Sequence, residues 1–413
     1  MECRAGLGAG DARLKPSLRI LRRRANVLMA IYLTLVVIVL NHIAFGGSRV
    51  VVSLFALESG ATQMQVGFLM ALYALCPMLF AIAIGRLADR VGPRLPMLLG
   101  STGLGIALLL TVLWPTLTML YIASFLLGSS FHFFFVTVTG VAGGIGGVEN
   151  RSRNYAIVSL GFSGAGFLGP LIAGFSIDYL GYMKTFMILA AFTVIPILML
   201  LRNPGFLPGA AKSSGAASGG AMELWRSPRL RNTFIASGFI SAGWDLFNFY
   251  MPVYGHGIGL SASAIGIILG TFALATFVIR AVLPWLIKRT SEVQILIYAI
   301  FVAAFAFTLF PLFSHPVALG AVAFLLGLGV GCGQPMSMSL IYALAPTGRA
   351  SEAAGVRVTV NNFTHLVIPL LFGTIGTAFG YAPVWLANSV LLSVGGWLVR
   401  RTASPLGGRR SRG

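Results

Sequence analysis

The sequence predicts an all-α polytopic membrane protein, with twelve transmembrane helices arranged as two parallel six-helix repeats (the fold class). Three observations carry that expectation: an extreme apolar content, a one-sided distribution of basic residues, and an internal repeat at a fixed offset. The chain has 413 residues, 57% of them hydrophobic and 9% charged, and a mean hydropathy of +0.89. Leaving out Tyr and adding the 51 Gly gives about 67% apolar residues, against roughly 45–50% in soluble domains. A water-soluble fold of this length cannot hide so much apolar surface. The 30 Phe and 6 Trp exclude a solvated, disordered chain as well.

At about 20 residues per span, the chain has room for about twelve helices. Apolar runs between punctuation fall at 27–57, 65–85, 95–114, 117–146, 155–177 and 182–201, then at 232–257, 263–286, 292–312, 317–344, 352–376 and 382–400. The first is long enough to need tilt or a break, and Gly46-Gly47 is the expected place for one. Residues 1–26 read as a basic cytoplasmic tail and 27–202 as the N-terminal bundle. A Gly/Ala/Ser-rich and then basic stretch, 203–231, reads as a flexible cytoplasmic loop. The C-terminal bundle is 232–400, and 401–413 is a second basic tail. The first hydrophobic run is too long for a signal peptide and no small-residue cleavage site follows it. Cys3, Cys76 and Cys332 are too few and too scattered for a disulfide framework or a metal site. Cys76 and Cys332 fall in apolar runs and read as small buried residues.

With the N-terminus inside, the inner tails and loops hold 26 of the 29 Lys and Arg. The outer loops hold one, Lys184, and Arg49 and Arg280 lie within spans. By the positive-inside rule both termini are cytoplasmic. The formal charge of +19 is thereby explained with no nucleic-acid partner.

Sliding the chain on itself by 199 residues aligns Phe125-Leu126-Leu127-Gly128 with Phe324-Leu325-Leu326-Gly327. The same offset sets Gly67 on Gly266, Pro170 on Pro369, Gly174 on Gly373, and Gly181-Tyr182 on Gly380-Tyr381. Six helices followed by six more in the same in/out sense are parallel repeats about an axis along the membrane normal. That plan puts a substrate site between the halves near mid-membrane.

The loop after the second span reads Gly85-Arg86-Leu87-Ala88-Asp89-Arg90-Val91-Gly92-Pro93-Arg94. It resembles the signature cytoplasmic loop of the major facilitator superfamily, with Pro93 in place of a basic residue. Gly85 and Gly92 permit a tight turn, and Asp89 is one negative charge among Arg86, Arg90 and Arg94. The resemblance implies that Asp89 sits near the start of span eleven in the outward-open state, where a helix N-terminus favours a carboxylate by roughly 0.3–1 kcal/mol. At the offset of 199 Asp89 falls on Lys288, so the second half lacks this latch. Span five, with Gly169, Pro170 and Gly174, resembles the Gly/Pro motif of the superfamily's antiporters. Close helix packing reads those residues equally well. The antiporters' usual Arg in span four is Ser124 here.

Asp245, in span seven, is the one acid deep in a span. An intramembrane charge costs about 2.5–3.5 kcal/mol on insertion scales and marks a functional site by default. The offset sets Asp245 level with Gly46, one turn from Arg49, and in the superfamily spans one and seven both line the central cavity. Arg49 and Asp245 are therefore expected to meet across it, as a proton- or substrate-sensitive gate or as a static link. Arg357, Asn361 and His365 recur four apart as a polar stripe on span eleven, with Asn362 beside it. His365 reads as a group titrating near neutral pH or as a hydrogen-bonded structural histidine. Arg357 and Arg280 read as side chains reaching toward the inner interface. His42 and His132 are candidate substrate ligands, or histidines bonded to neighbouring backbone. Trp244, Asn248 and Tyr250 surround Asp245, and Gln334 adds an amide near mid-membrane. The mixture suits a small amphipathic ligand, and packing too.

No metal cluster, nucleophile elbow or phosphate loop is present in the sequence, so neither an enzyme nor a bound cofactor is expected. Transport then runs on a gradient. The first reading is a secondary active transporter embedded in the lipid of a cell inner membrane, moving a small-molecule substrate across it by alternating access, with proton-coupled efflux. The alternative is an importer or facilitator of an anionic metabolite, since the spans carry one excess positive charge, or two with His365 protonated. A non-transporting receptor is disfavoured by the lack of a sizeable soluble domain.

Overall fold

The computed structural model describes residues 16–146, 150–202, 221–346 and 349–403. The first fifteen residues, the Gly/Ala/Ser-rich part of the central loop and the tail from 404 lie outside them. So do the side-chain surroundings of Gly85, Arg86 and Asp89. The architecture is all-helical among the described residues. The N-terminal half consists of α1 (Pro16–Glu58), α2 (Gln63–Val91), α3 (Arg94–Leu113), α4 (Leu117–Gly144), α5 (Arg151–Leu180) and α6 (Tyr182–Arg202). The C-terminal half consists of α7 (Pro228–Gly257), α8 (Ala262–Arg289), α9 (Glu292–Leu309), α10 (Pro316–Leu344), α11 (Ala350–Phe379) and α12 (Tyr381–Ala403).

Each expected span falls on one helix. Eleven are long and apolar enough to cross a membrane, and α7 is the exception among the described residues. Its Ser237, Ser241, Asp245 and Asn248 dilute the apolar run, and α7 is instead buried along most of its length. Large apolar side chains such as Leu79, Tyr298 and Val390 point outward and are 60–64% exposed, as a lipid-facing surface requires.

Two expectations change. The break at Gly46-Gly47 is absent, and α1 runs unbroken. Gly47 serves packing: a Cβ there would lie 2.7 Å from a Leu189 methyl and 3.1 Å from the Gly169 carbonyl oxygen. The last part of the expected flexible loop is helical, as a short helix Ala221–Arg226 and the first turn of α7. Leu224 of the short helix is buried with Leu230, Phe234, Ile341, Ala353 and Val356. Arg349 bonds both Glu223, at 2.5 Å, and Glu352, at 2.7 Å, which ties this helix to the start of α11 and raises the Arg349 pKa.

Local chemistry sets the helix ends. Thr62 and Gln65 form a reciprocal capping box at α2, and Thr116, Ser261 and Ser291 accept the first free amides of α4, α8 and α9. Pro228 and Pro316 occupy the first turns of α7 and α10. Gly92, Gly181 and Gly380 end α2, α5 and α11 at φ near +82°, where a side chain is strained. After Gly92, Arg94 donates Nε to the Leu200 carbonyl at 2.8 Å and Nη2 to that of Leu201 at 2.8 Å. It thereby caps the last turn of α6.

The residues of the repeat mark places where helix backbones approach closely. A Cβ on Gly128 would meet the Tyr73 carbonyl oxygen at 2.2 Å, and one on Gly327 would meet that of Phe272 at 2.5 Å. Tyr73 and Phe272 are themselves mates at the offset of 199, so α4 rests on α2 as α10 rests on α8. Gly128→Val is expected to destabilise the protein by about 1–3 kcal/mol through overpacking. A fall in detergent melting temperature and in monodisperse yield would register it.

The two halves meet through α2 on α11 and α5 on α8. A Cβ on Gly67 would lie 2.3 Å from the Pro369 carbonyl oxygen, and one on Gly266 would lie 2.6 Å from that of Pro170. Gly174 and Gly373 complete the two crossings, Gly174 against Ala262 and Gly373 against Gln63. All these residues lie at the far end, which carries the α1–α2, α5–α6, α7–α8 and α11–α12 turns. Among the described residues, the hydrogen bonds between the halves lie there too. Asp178 accepts the amides of Ala262 at 3.0 Å and Ser263 at 2.8 Å. Thr377 accepts the amide of Met64 at 2.8 Å, and the Tyr250 hydroxyl donates to Gln63 at 2.7 Å. The opposite, near end carries the central connection. Among the described residues, these crossings and hydrogen bonds close the molecule at the far end.

Candidate functional site

A cavity of about 520 Å³ lies between the halves, within the usual size of a small-molecule site. The far-end crossings form its roof, with Pro170 and Met70 among the lining residues. Its walls are unequal in chemistry. On the N-terminal side α1 contributes His42, Phe45 and Arg49, α2 Tyr73, α4 Phe131, His132 and Phe135, and α5 Phe162. On the C-terminal side α7 contributes Trp244, Asp245 and Asn248, α8 Arg280, and α11 Asn362 and His365.

Asp245 is 4% exposed, and its carboxylate is paired with Nδ1 of His365. The expected Arg49–Asp245 pair does not form. Both residues line the cavity, but α7 and α11 pack against each other within one half, whereas Arg49 stands across the gap in the other. His365 lies four residues before Pro369, which has no amide to return to the His365 carbonyl. Gly166 and Pro170 repeat this loosened turn on the opposite wall.

Arg49 and Arg280 take part in no ion pair among the described residues, and the Nε of each is buried without an acceptor. Arg280 lines the cavity, not the interface. Nδ1 of His42 and Nε2 of His132 are buried without partners as well. The His42 ring is set among Phe131, at 5.3 Å between ring centres, and Phe162, at 5.2 Å. Phe45 stacks on Phe131 at 3.8 Å. Asn248 spends its amide on the Trp244 carbonyl at 2.8 Å, and the Trp244 ring packs against Phe272 at 5.0 Å between centres.

The rest of the α11 stripe turns inward among its neighbours. Arg357 is 6% exposed and does not reach an interface. Its guanidinium bonds the Gln334 side chain and the Ser337 hydroxyl, the latter at 3.2 Å from Nε. Asn361 accepts from Ser237 at 3.1 Å, and Gln334 donates to Ser241 at 3.0 Å. Arg357, Asn361 and Gln334 thus join α7, α10 and α11 into one polar seam beside the cavity. Pro170 and Gly174 belong to the α5–α8 crossing, while Gly169 packs on Gly47. In the signature loop Arg90 is exposed in the last turn of α2, and Gly92 and Arg94 shape the α2–α3 turn. Tyr73 is a cavity residue that the sequence reading passed over. Its hydroxyl lies 3.1 Å from Ser48 Oγ. The available signal was its register with Phe272 at the repeat offset.

Two six-helix repeats enclosing a polar chamber that is roofed at one end define a membrane transporter. The chain belongs to the Major Facilitator Superfamily, which it matches over residues 34–369. The tetracycline resistance protein, class H, of Pasteurella multocida is 23% identical over 352 residues, covering 79% of this chain and 84% of that protein. The multi-drug resistance efflux pump PmrA of Streptococcus pneumoniae is 23% identical over 357 residues, covering 82% and 87%. Among solved structures, the peptide transporter POT in complex with sulfate superposes with a TM-score of 0.77 at 15% identity, over 92% of this chain and 95% of that one. The protein is a multi-pass membrane transporter of small molecules and not an enzyme.

Proposed function

We propose that this transporter is secondary active and exports a small molecule by alternating access, with Asp245 and His365 carrying the coupling proton. One observation carries the reading. The acid deepest in the spans is buried, faces the cavity and shares a hydrogen bond with a titratable side chain. A charge kept at such depth is costly unless it is used. The distribution of basic residues puts the near end, both termini and the signature loop in the cytoplasm, so the closed far end faces outward. The export direction is drawn from the relatives, one a tetracycline resistance protein and one a multi-drug resistance efflux pump, and an inner membrane is the location we propose for it.

Proton flux in proteoliposomes across a chemically mixed ligand panel tests the reading. Ligand-triggered flux is the expected result. Ligand movement with no accompanying proton flux would make the protein a facilitator or exchanger.

A further inference from the structure

The proton reading leaves Arg49 and Arg280 in the chamber unused, and neither is paired with an anion among the described residues. Asp245 is committed to His365, so Arg49 and Arg280 face the same cavity with no carboxylate of their own. Each holds a buried Nε that donates to nothing. Guanidinium N–H groups are donors only and cannot be deprotonated in a protein. Such groups, left unsatisfied in a low-dielectric chamber, select an acceptor that brings negative charge. The N-terminal wall, which also carries Arg49, is a stack of rings, Phe45, Phe131, Phe135 and Phe162 around His42.

We infer that the substrate is a small aromatic or alicyclic organic anion, its carboxylate or sulfonate held between Arg49 and Arg280 and its apolar body against the Phe wall. The inference rests on the transport reading above and names its substrate class. Arg49 belongs to α1 and Arg280 to α8, so the anion contacts both halves. Binding then offsets the mutual repulsion of the two cations and draws the near ends together, which is the movement needed to close the cytoplasmic side.

The charge balance also sets the coupling. Asp245 is faced by His365 from α11, by Arg49 and His42 from α1, by Tyr73 from α2, by His132 from α4 and by Arg280 from α8. A proton added to the Asp245–His365 pair makes the chamber more positive and strengthens anion binding. By reciprocity the anion strengthens proton binding. Anion and proton therefore leave together, so export runs on the anion's own outward gradient and not on proton entry, whereas a cationic substrate would compete with the proton.

The test compares one ring system in three charge states on the purified full-length protein: naphthalene-2-sulfonate and 2-naphthoate, 2-naphthamide, and 2-naphthylmethylammonium. The anions are expected to bind at least tenfold more tightly than the amide, with the ammonium weakest. Arg49→Gln and Arg280→Gln should each erase the preference. Arg49→Lys should keep most of it, and Arg400→Gln, on the exposed end of α12, should leave it intact. In proteoliposomes the sulfonate, which does not cross a bilayer as a neutral acid, should carry protons in its own direction. Anions that bind no better than the amide, or a preference that survives both Arg→Gln changes, would overturn the inference. Proton flux driven by the ammonium compound and lost in Asp245→Asn would overturn it too, yet leave proton coupling standing. Sulfonate movement without protons would do the reverse.

Discussion

Asp245→Asn is expected to separate exchange from accumulation. The variant should bind ligand and catalyse ligand-for-ligand exchange across proteoliposomes at rates close to the parent protein. Net movement driven by an imposed pH gradient should fall at least tenfold, toward the rate of empty liposomes. Breaking a buried ion pair by deleting one partner typically costs 3–5 kcal/mol, because a charge is left behind. Asn avoids most of that cost, since its carbonyl oxygen still accepts from His365 and no carboxylate needs desolvation. The melting temperature should therefore stay within a few degrees of the parent. Retained pH-driven accumulation in Asp245→Asn would remove the proton role from this residue. His365→Gln is the milder change: it keeps a hydrogen-bonding partner for Asp245 but removes the second titratable group, so its pH profile should move while coupling persists.

The architecture was legible in the sequence because the features that encode it are covalent and local. Twelve apolar runs, separated by caps and turn glycines, specify twelve helices wherever water is absent. The repeat at 199 was legible for a sharper reason. Gly67, Gly128, Gly266 and Gly327 each lie where a neighbouring backbone carbonyl comes too close for a Cβ, at 2.2–2.6 Å. Gly181 and Gly380 each hold a positive φ. Positions of that kind tolerate one residue type, so the pattern shows without an alignment. The site was legible in its members but not in its pairings. Arg49, Asp245, His365, His42 and His132 all reach the chamber, because a polar side chain within a span is turned away from lipid. Which of them bond depends on how far apart the halves stand. The offset gave Arg49 and Asp245 the same depth but carried no information about the gap between α1 and α7. The Asp245–His365 pair was hidden because α7 and α11 are mates of different helices, and no periodicity links them. Arg357 was misplaced for a related reason: a snorkelling Arg and an Arg bonded to Gln334 and Ser337 have the same sequence surroundings.

Gly67→Val combined with Gly266→Val is expected to invert the resting state. In the structure the far end is closed by two crossings in which a glycine lies under the carbonyl of a proline four residues beyond a cavity residue, His365 for Pro369 and Gly166 for Pro170. Forcing a side chain into either crossing costs about 1–3 kcal/mol if the backbone cannot yield. Moving a 99:1 preference to 1:99 takes about 5.5 kcal/mol, so the double change approaches inversion and each single change gives a mixture. Neither substitution touches the packing within a half, so folded yield should persist. Met70→Cys, in a background lacking Cys3, Cys76 and Cys332, reports the outcome. Met70 is 2% exposed and lines the roof of the cavity, and a membrane-impermeant maleimide added at the far side should label it in the double variant only. The two crossings are also unequal. Asp178 brings a negative charge and two acceptor oxygens to the positive end of α8, whereas Thr377, at the same register in the other crossing, offers one hydroxyl to α2. A charge at a helix N-terminus adds roughly 0.3–1 kcal/mol to the hydrogen bonds themselves. Asp178→Ala should therefore raise far-side labelling more than Thr377→Ala does. Equal labelling in the two would mean that the glycine contacts, and not the helix caps, hold the far end shut.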